Sequence, residues 1–306
     1  MAVYTFGETF DQSLLAGTSC AFGVFDGLHR GHRFLLERAI ATSDSPTSKS
    51  MAITFDIDPD EVFHPERLKK LMRNADRIEE LAALGVDDVL VLPFTPQLFS
   101  SAPLEFLEHL FSQGAPAHMH VGSDFRFGAR AAGTVETLKR WGAEVGCQIH
   151  AHDLISADGK PITATRIRLL LLDCKVKEAA ELLGRPYALR ETVQRGRGEG
   201  AGFGFATANL QVKPHDRVLG EGVYAAYAIV DGVRYKAAVS VGVSPTFEAT
   251  SSANVEVHIL DFAGDLVDRP ITVEFIEFLR PMIKFDSTEE LIATVNGNIQ
   301  WVRDNL

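Results

Sequence analysis

Residues 23–32 read Gly23-Val24-Phe25-Asp26-Gly27-Leu28-His29-Arg30-Gly31-His32. The apolar residues before and after this segment predict a buried strand over 18–25 and a helix over 31–42. The first turn of a helix presents free N–H groups and a partial positive charge, which bind phosphate. Gly27 and Gly31 let the backbone approach a ligand closely, and His29 and His32 can donate hydrogen bonds from one side of the turn. The segment therefore favours a nucleotide-binding turn over a structural turn with two solvated histidines.

Strand-like and helix-like segments alternate through the rest of the first half. This alternation predicts an α/β, Rossmann-like domain with a parallel sheet covered on both faces. Ligands bind such sheets where the strands end and the helices begin, which is where residues 23–32 lie. The predicted strands are 18–25, 49–55, 86–93, 118–122 and 148–153, and the predicted helices are 31–42, 73–84, 102–111 and 135–141.

The second half has a different pattern. Two helices are predicted over 165–183, broken at 173–175, and Gly184, Arg185 and Pro186 end them. Short strands separated by Gly, Asp and Pro then predict an antiparallel barrel or sandwich, and a last helix is predicted to be capped by Ser287 with Glu290. We therefore predict two domains, 1–185 and 186–306. The predicted strands are 187–193, 208–212, 222–230, 233–241, 254–262 and 271–279.

Composition limits the classes of function. The 306 residues are 46% hydrophobic, enough for two packed cores, and the net charge of -11 gives no general attraction to nucleic acid or anionic lipid. Three widely spaced cysteines, Cys20, Cys147 and Cys174, suggest buried thiols in a reducing cytoplasm rather than disulfides or a zinc site. The N-terminal residues do not resemble a signal peptide, and no apolar run is long enough to span a membrane. We expect a cytoplasmic protein with no nucleic-acid or membrane partner.

Several motifs carry a resemblance to a known family. His29-Arg30-Gly31-His32 matches the HxGH nucleotidyltransferases, and the whole of residues 23–32 is similar to their FMN adenylyltransferase branch. Residues 53–56, 121–128 and 162–168 match further segments of that branch in the same order. The chain thus resembles the bacterial bifunctional riboflavin kinase/FMN adenylyltransferase (FAD synthetase) family over roughly residues 15–306.

The resemblance implies that the FMN phosphate attacks the α-phosphorus of ATP and releases pyrophosphate, with catalysis by positioning and charge stabilisation. It implies that His29, His32, Thr165 and Arg168 contact phosphates and that Asp124 lies near the nucleotide or flavin. Further expected substrate-binding residues are Gly23, Phe25, Asp26, Gly27, Gly31 and Asp56. Two positions depart from the family pattern: Asp58 stands where a His is usual, and Ala164 where a Ser is usual. Asp58 either repels the phosphates or only caps a turn.

The second site is predicted around a glycine-rich segment, in which Gly196, Gly200 and Gly204 are expected to bind nucleotide. Residues 206–209 resemble the riboflavin kinase motif GFPTAN, which implies that Thr207 and Asn209 help to hold Mg²⁺ and ATP. Glu256 lies in a strand similar to one that carries the general base for the riboflavin hydroxyl; the alternative is a solvated surface Glu. Residues 244–247 match the family's PTF segment. Ala206 replaces the family's Pro, and Glu199 and Ala201 replace basic residues, which predicts weaker ATP affinity.

The resemblance implies an enzyme that uses ATP and Mg²⁺ to convert riboflavin to FMN and FMN to FAD. Two alternatives remain at this stage. One is a divergent paralogue with a single activity or an altered flavin or nucleotide substrate. The other is a flavin-binding sensor without catalysis, although His29, His32, Arg168, Thr207, Asn209 and Glu256 are all present.

Overall fold

The computed structural model describes residues 2–7, 9–43, 48–63, 69–196, 205–212, 218–243 and 253–306. The chain forms two compact units. Residues 1–68 with 73–163 make the first, and residues 69–72 with 164–306 make the second. The assignment of function to domains 1–185 and 186–306 stays a prediction. No helix in the described ranges is long and apolar enough to cross a membrane.

The first unit is built on a six-stranded parallel sheet with the strand order β1-β4-β3-β2-β5-β6. Strands β3 and β4 lie on one side of β2, and β5 and β6 lie on the other. The chain therefore reverses its direction of winding beside β2, and the crevice at the end of β2 is where ligands bind in such sheets. The strands are β1 Ala2–Thr5, β2 Ser19–Phe22, β3 Ser50–Phe55, β4 Asp88–Leu92, β5 His118–Gly122 and β6 Gln148–His152.

Helices cover this sheet and enclose its core. Strands β2, β3 and β4 are buried at every residue, which explains why their sequences are largely apolar. The predicted parallel α/β fold is confirmed. The helices are α1 Arg30–Ala41, α2 Pro59–Phe63, α3 Asn74–Ala83, α4 Pro96–Ser100, α5 Pro103–Phe111 and α6 Val135–Val145, and a short hairpin follows as β7 Ser156–Ala157 and β8 Lys160–Pro161.

Four histidines line one face of the neighbouring strands β5 and β6. His118 Nδ1 lies 3.1 Å from His150 Nε2, and His120 Nδ1 lies 2.9 Å from His152 Nε2. His120 is buried, and its Nε2 is 2.8 Å from Thr42 Oγ1. Burial, together with the nearby His150, lowers the pKa of His120 to about 3. Burial also lowers the pKa of His150 and of His152.

The second unit begins with two helices and continues as a closed antiparallel barrel of order β10-β13-β12-β11-β14-β9. The predicted helix break at 173–175 and the barrel with its closing helix are confirmed. Ser287 accepts a hydrogen bond from the Glu290 N–H at 3.1 Å, as the predicted cap requires. The elements are α7 Ala164–Leu172, α8 Val176–Leu183, β9 Tyr187–Gln194, β10 Ala208–Val212, β11 Gly222–Val230, β12 Val233–Val243, β13 Ala253–Ile259, β14 Pro270–Arg280 and α9 Thr288–Asn305.

The structure differs from the sequence-based assignment at a few elements. Strand β1 was not predicted, because a strand of four residues is too short to give a clear pattern in the sequence. The predicted strand 18–25 ends at Phe22, because Phe25 adopts a left-handed conformation (φ 60°) that cannot continue a strand. Strand β13 ends at Ile259 rather than at 262, because Asp261 adopts a left-handed conformation (φ 58°) and turns the chain. Helices α2 and α4 were missed because each has only five residues.

Candidate functional site

The HxGH turn follows the end of β2 and leads directly into α1. Residues 26–28 form a 3-10 turn in which Gly27 has a φ of 73°, a left-handed conformation that favours glycine. His29 is the N-cap of α1, and its Nδ1 accepts a hydrogen bond from the His32 N–H at 3.3 Å. Because Nδ1 is the acceptor, the proton of the neutral ring is on Nε2. His29 is thus a fixed N–H donor at the helix N-terminus.

His32 stacks on His29, with ring centroids 3.6 Å apart, and meets the Phe25 ring edge-on at 5.4 Å. Its Nδ1 is buried and has no hydrogen-bond partner among the described residues. Burial, with smaller contributions from His29 and Arg77, holds the pKa of His32 well below its usual range. The lowered pKa of His32 favours the neutral imidazole over the imidazolium at this position.

Two glycines keep this arrangement compact. A Cβ on Gly31 would lie 3.2 Å from the His29 ring, and a Cβ on Gly23 would lie 3.2 Å from the Phe25 ring. Both distances are tighter than ordinary packing allows. Gly23 and Gly31 are therefore explained by the position of the two rings that they adjoin.

The predicted aspartates of this unit differ in their surroundings. Asp26 is buried in the turn itself. Asp56 Oδ1 accepts hydrogen bonds from the N–H groups of Ile57 (2.8 Å) and Phe94 (2.7 Å), which ties the segments after β3 and β4 together. Asp124 is exposed after β5 and faces Gly122, where an added Cβ would lie 2.8 Å from its Oδ1.

Asp58, which departs from the family pattern, caps a helix. Its carboxylate accepts a hydrogen bond from the Asp60 N–H at 3.0 Å, and its own N–H donates to Glu61 Oε1 at 3.0 Å. Asp58 is buried, and its charge acts on Arg77. The structure thus supports the capping role for Asp58. Arg77 was missed by the sequence reasoning, because an Arg in an amphipathic helix is normally exposed.

An aromatic cavity of about 1190 Å³ adjoins Gly23 and Val24 at the end of β2. This volume is comparable with small-molecule sites, which are typically ~300–1,000 Å³. Arg126 and Arg130 also line it. Phe55, Phe125 and Phe127 lie in motifs noted in the sequence, but the other aromatic residues come from separate elements and carry no common sequence signal. The aromatic lining consists of Phe55, Phe63, Phe99, Phe106, Phe125 and Phe127.

Thr165 and Arg168 lie in α7, which belongs to the second unit. Thr165 is exposed in the first turn of this helix. Arg168 donates from Nε to the Lys69 carbonyl at 2.6 Å, and this hydrogen bond joins α7 to residues 69–72. Ala164, the second departure, is the first residue of α7.

The second predicted site lies on three adjacent strands of the barrel. Glu256 on β13 is directly opposite Asn209 on β10 and Ser240 on β12. Glu256 is exposed, whereas its neighbours Val255 and Val257 face the core. Thr207 immediately precedes β10, and the Asn209 amide donates to the Thr207 carbonyl at 3.4 Å. The barrel register thus brings together the three residues proposed for the kinase chemistry.

A cavity of about 290 Å³ joins this polar row to apolar side chains of α9. Glu256, Thr207 and Ser240 line one side, and Leu291 and Val295 line the other. Two further lining residues, His258 and Arg280, were missed by the sequence reasoning. His258 Nδ1 is 2.9 Å from the Ala206 carbonyl, and Arg280 Nε is buried without a hydrogen-bond partner among the described residues.

Gly196 packs closely against this row. A Cβ added to Gly196 would overlap the Asn209 amide, because it would lie only 2.5 Å from Asn209 Cγ. The other expectations for the glycine-rich segment, at Glu199, Gly200, Ala201 and Gly204, and for residues 244–247 fall outside the described residues.

Comparison with known proteins agrees with both halves of this description. The FAD synthetase family model matches residues 11–166, and the riboflavin kinase family model matches residues 183–306. The fold and the two sites therefore define a protein with a nucleotidyltransferase module and a flavin kinase module.

Curated relatives place it more narrowly. The chain is 34% identical to the bifunctional riboflavin kinase/FMN adenylyltransferase of Pseudomonas fluorescens, over 94% of this chain and 92% of that protein. It is 32% identical to the protein of the same name from Escherichia coli strain K12, over 94% and 92%. The chain belongs to the family of bifunctional riboflavin kinase/FMN adenylyltransferases. The comparisons give no support to a divergent paralogue or a non-catalytic sensor.

A solved structure covers the whole length as well. It has a TM-score of 0.87 and 27% identity, and it covers 99% of both chains; it is described as a macrolide-efflux protein from Streptococcus pneumoniae. That description does not match the names of the curated relatives. The match shows that both modules have the same fold as this solved structure.

Proposed function

We propose that residues 1–185 transfer the adenylyl group of ATP to FMN at the turn formed by residues 23–32. A phosphate oxygen of FMN forms a bond to the α-phosphorus of ATP, and the bond to the leaving pyrophosphate breaks. His29, and His32 beside it, donate hydrogen bonds to phosphate oxygens at the N-terminus of α1, where the helix dipole also favours negative charge. Gly23, Phe25, Asp26, Gly27 and Gly31 shape the turn.

The aromatic cavity is the proposed flavin site of this module. Phenyl rings suit the flat, amphipathic isoalloxazine ring, and a few polar groups fix its orientation. Arg126 and Arg130 provide positive charge on the same wall. The observation that carries this assignment is that Gly23 and Val24 belong both to the cavity wall and to the strand end that leads into the HxGH turn.

We propose that the barrel transfers the γ-phosphoryl group of ATP to the riboflavin 5′-hydroxyl. Glu256 accepts the hydroxyl proton, the oxygen forms a bond to the γ-phosphorus, and ADP leaves. A positioned general base contributes ~10²–10⁴ to the rate. The carrying observation is the register that sets Glu256 directly opposite Asn209, together with the 290 Å³ cavity that Glu256 and Thr207 line.

Mg²⁺ is the proposed cofactor of this barrel site. The Thr207 hydroxyl and the Asn209 amide oxygen are hard oxygen ligands of the kind that Mg²⁺ takes together with substrate phosphates. The tight space between Gly196 and Asn209 fixes the position of the amide, as a ligand position requires. Thr207 and Asn209 would hold the ion, which would supply neutralisation of phosphate charge when bound. Glu256 accepts the proton.

The expected reactions are tested by two incubations with Mg²⁺–ATP, one with riboflavin and one with FMN, followed by chromatography of the flavins. The proposal predicts FMN from the first and FAD from the second. Absence of FAD from the second would contradict the role of the HxGH turn. Absence of FMN from the first would contradict the role of the Glu256 row. Flavin bound but unchanged in both would favour a sensor.

A further inference from the structure

Arg77 is a buried cation in the first unit. Its side chain has only 1% of its surface exposed, and it is among the largest fully buried side chains in the described ranges. One guanidinium nitrogen, Nη2, donates to the Phe55 carbonyl at the end of β3, at 2.5 Å. Its Nε has no hydrogen-bond partner among the described residues. Burying a charge is costly, and an apolar side chain of similar volume often stabilises a core as well or better. Stability alone therefore does not account for an Arg at this position.

The position of Arg77 indicates what it does. Helix α3, which carries it, packs against the 3-10 turn of residues 26–28 that leads into His29. Burial lowers the pKa of Arg77, and carboxylates oppose this, Asp26 most strongly and then Asp58, Glu61 and Asp56. These carboxylates come from two loops, one after β2 and one after β3 with α2. Arg77 thus lies where the two loops meet, at the C-terminal edge of the sheet.

Arg77 also acts on the phosphate-binding turn. Besides burial, two neighbouring groups lower the pKa of His32: His29 has the larger effect, and Arg77 the smaller. The two groups that face His32 in this way are His29 on the same turn and Arg77 on α3. The fixed positive charge of Arg77 offsets part of the negative charge of the carboxylates behind the turn, which would otherwise repel a phosphate.

We propose that Arg77 is a positioning residue for adenylyl transfer. From behind the HxGH turn it links the Asp26 loop to the Asp58 loop and adds a permanent positive charge to the phosphate site. Asp58, which stands where a His is usual, then directs its charge to Arg77 rather than to the substrate. This inference rests on the proposed role of His29 and His32 as phosphate donors.

The test compares Arg77→Met, which keeps the volume and removes the charge, with Arg77→Lys, which keeps the charge and removes the planar fork. Both variants are assayed for FAD formation from FMN across pH, and riboflavin kinase activity of the same preparation serves as the concentration control. Near-UV circular dichroism reports whether the aromatic core of the first unit is folded.

We expect Arg77→Met to lower kcat/KM for FAD formation ~10²–10³-fold, as loss of one fixed electrostatic contribution does, with the kinase unchanged. Removing the cation raises the pKa of His32 toward its usual value, so the acid limb of the rate profile moves to higher pH. Arg77→Lys should leave that limb in place while lowering kcat/KM. An Arg77 whose charge does not reach His32 would leave the limb unshifted.

A folded Arg77→Met with wild-type kcat/KM and an unshifted acid limb would overturn the inference. If Arg77→Met does not fold, the test rests on Arg77→Lys. A wild-type kcat/KM for FAD formation in Arg77→Lys would overturn the inference, and a reduced kcat/KM with an unshifted acid limb would support it. His29→Ala is measured in parallel. Unchanged FAD formation by His29→Ala would refute the proposed phosphate role of the turn itself, independently of Arg77.

Discussion

Gly196→Ala is predicted to disable the kinase by displacing one proposed Mg²⁺ ligand. The new Cβ would lie 2.5 Å from Asn209 Cγ, whereas carbon atoms pack at about 3.5–4.0 Å. The Asn209 amide must therefore move by about 1 Å. Mg²⁺ tolerates little variation in its short ligand distances, and a misplacement of about 1 Å costs on the order of 10²-fold in rate.

The assay is FMN formation from riboflavin with Mg²⁺–ATP varied, and FAD formation from FMN by the same sample is the internal reference. We expect kcat/KM for the kinase to fall about 10²-fold, with FAD formation unchanged. Gly297→Ala is the matched control, because a Cβ there meets nothing within 4 Å. A Gly196→Ala enzyme with wild-type kinase kinetics would refute the claim that Asn209 must occupy its present position.

Three further predictions follow from single contacts. His258→Phe removes the hydrogen bond to the Ala206 carbonyl and should raise the KM for Mg²⁺–ATP in the kinase with a smaller change in kcat. His258→Asn keeps a donor and should restore the wild-type KM. Equal KM values in the wild type and both variants would contradict this prediction. Asp58→Ala should lower the stability of the first unit by at least about 1 kcal/mol, because it removes the cap and also one of the carboxylates that offset the buried charge of Arg77. Urea unfolding measures this loss, and an unchanged midpoint would argue against the capping role. The folded-state pKa of His120 is about 3, against 6.5 for an unperturbed His, so its contribution to stability is present above pH 6.5 and is lost as the pH falls toward 3. Acidification from pH 7 to 5 should therefore destabilise the first unit by on the order of 1–2 kcal/mol. His120→Gln should weaken that pH dependence, and an identical pH dependence in the variant would exclude His120 as its source.

The sequence predicted the fold well where periodicity and turns are strong. Largely apolar segments such as Ser50–Phe55 are buried on both faces, and the capping pair Ser287 and Glu290 marks the last helix. The short edge strand Ala2–Thr5 gave no such signal, because half of its residues are exposed. Local pattern therefore predicts elements that bury a whole face, and it misses elements defined by their neighbours.

The candidate sites show the same division. His29 and His32 were predicted from a local motif, and the structure stacks their rings at the start of α1. Arg77 was missed because its burial depends on loops far away in the sequence. His258 was missed as well. Its contact with Ala206 depends on the pairing of β13 with β10.

The central claim is that one chain carries two independent sites, one at the HxGH turn and one at the Glu256 row. The most direct test is product analysis of the two variants His29→Ala and Glu256→Gln, each given riboflavin or FMN with Mg²⁺–ATP. We predict that His29→Ala converts riboflavin to FMN but makes little FAD, and that Glu256→Gln makes FAD from FMN but no FMN from riboflavin. Loss of both products in either variant, or retention of both in either, would contradict the account.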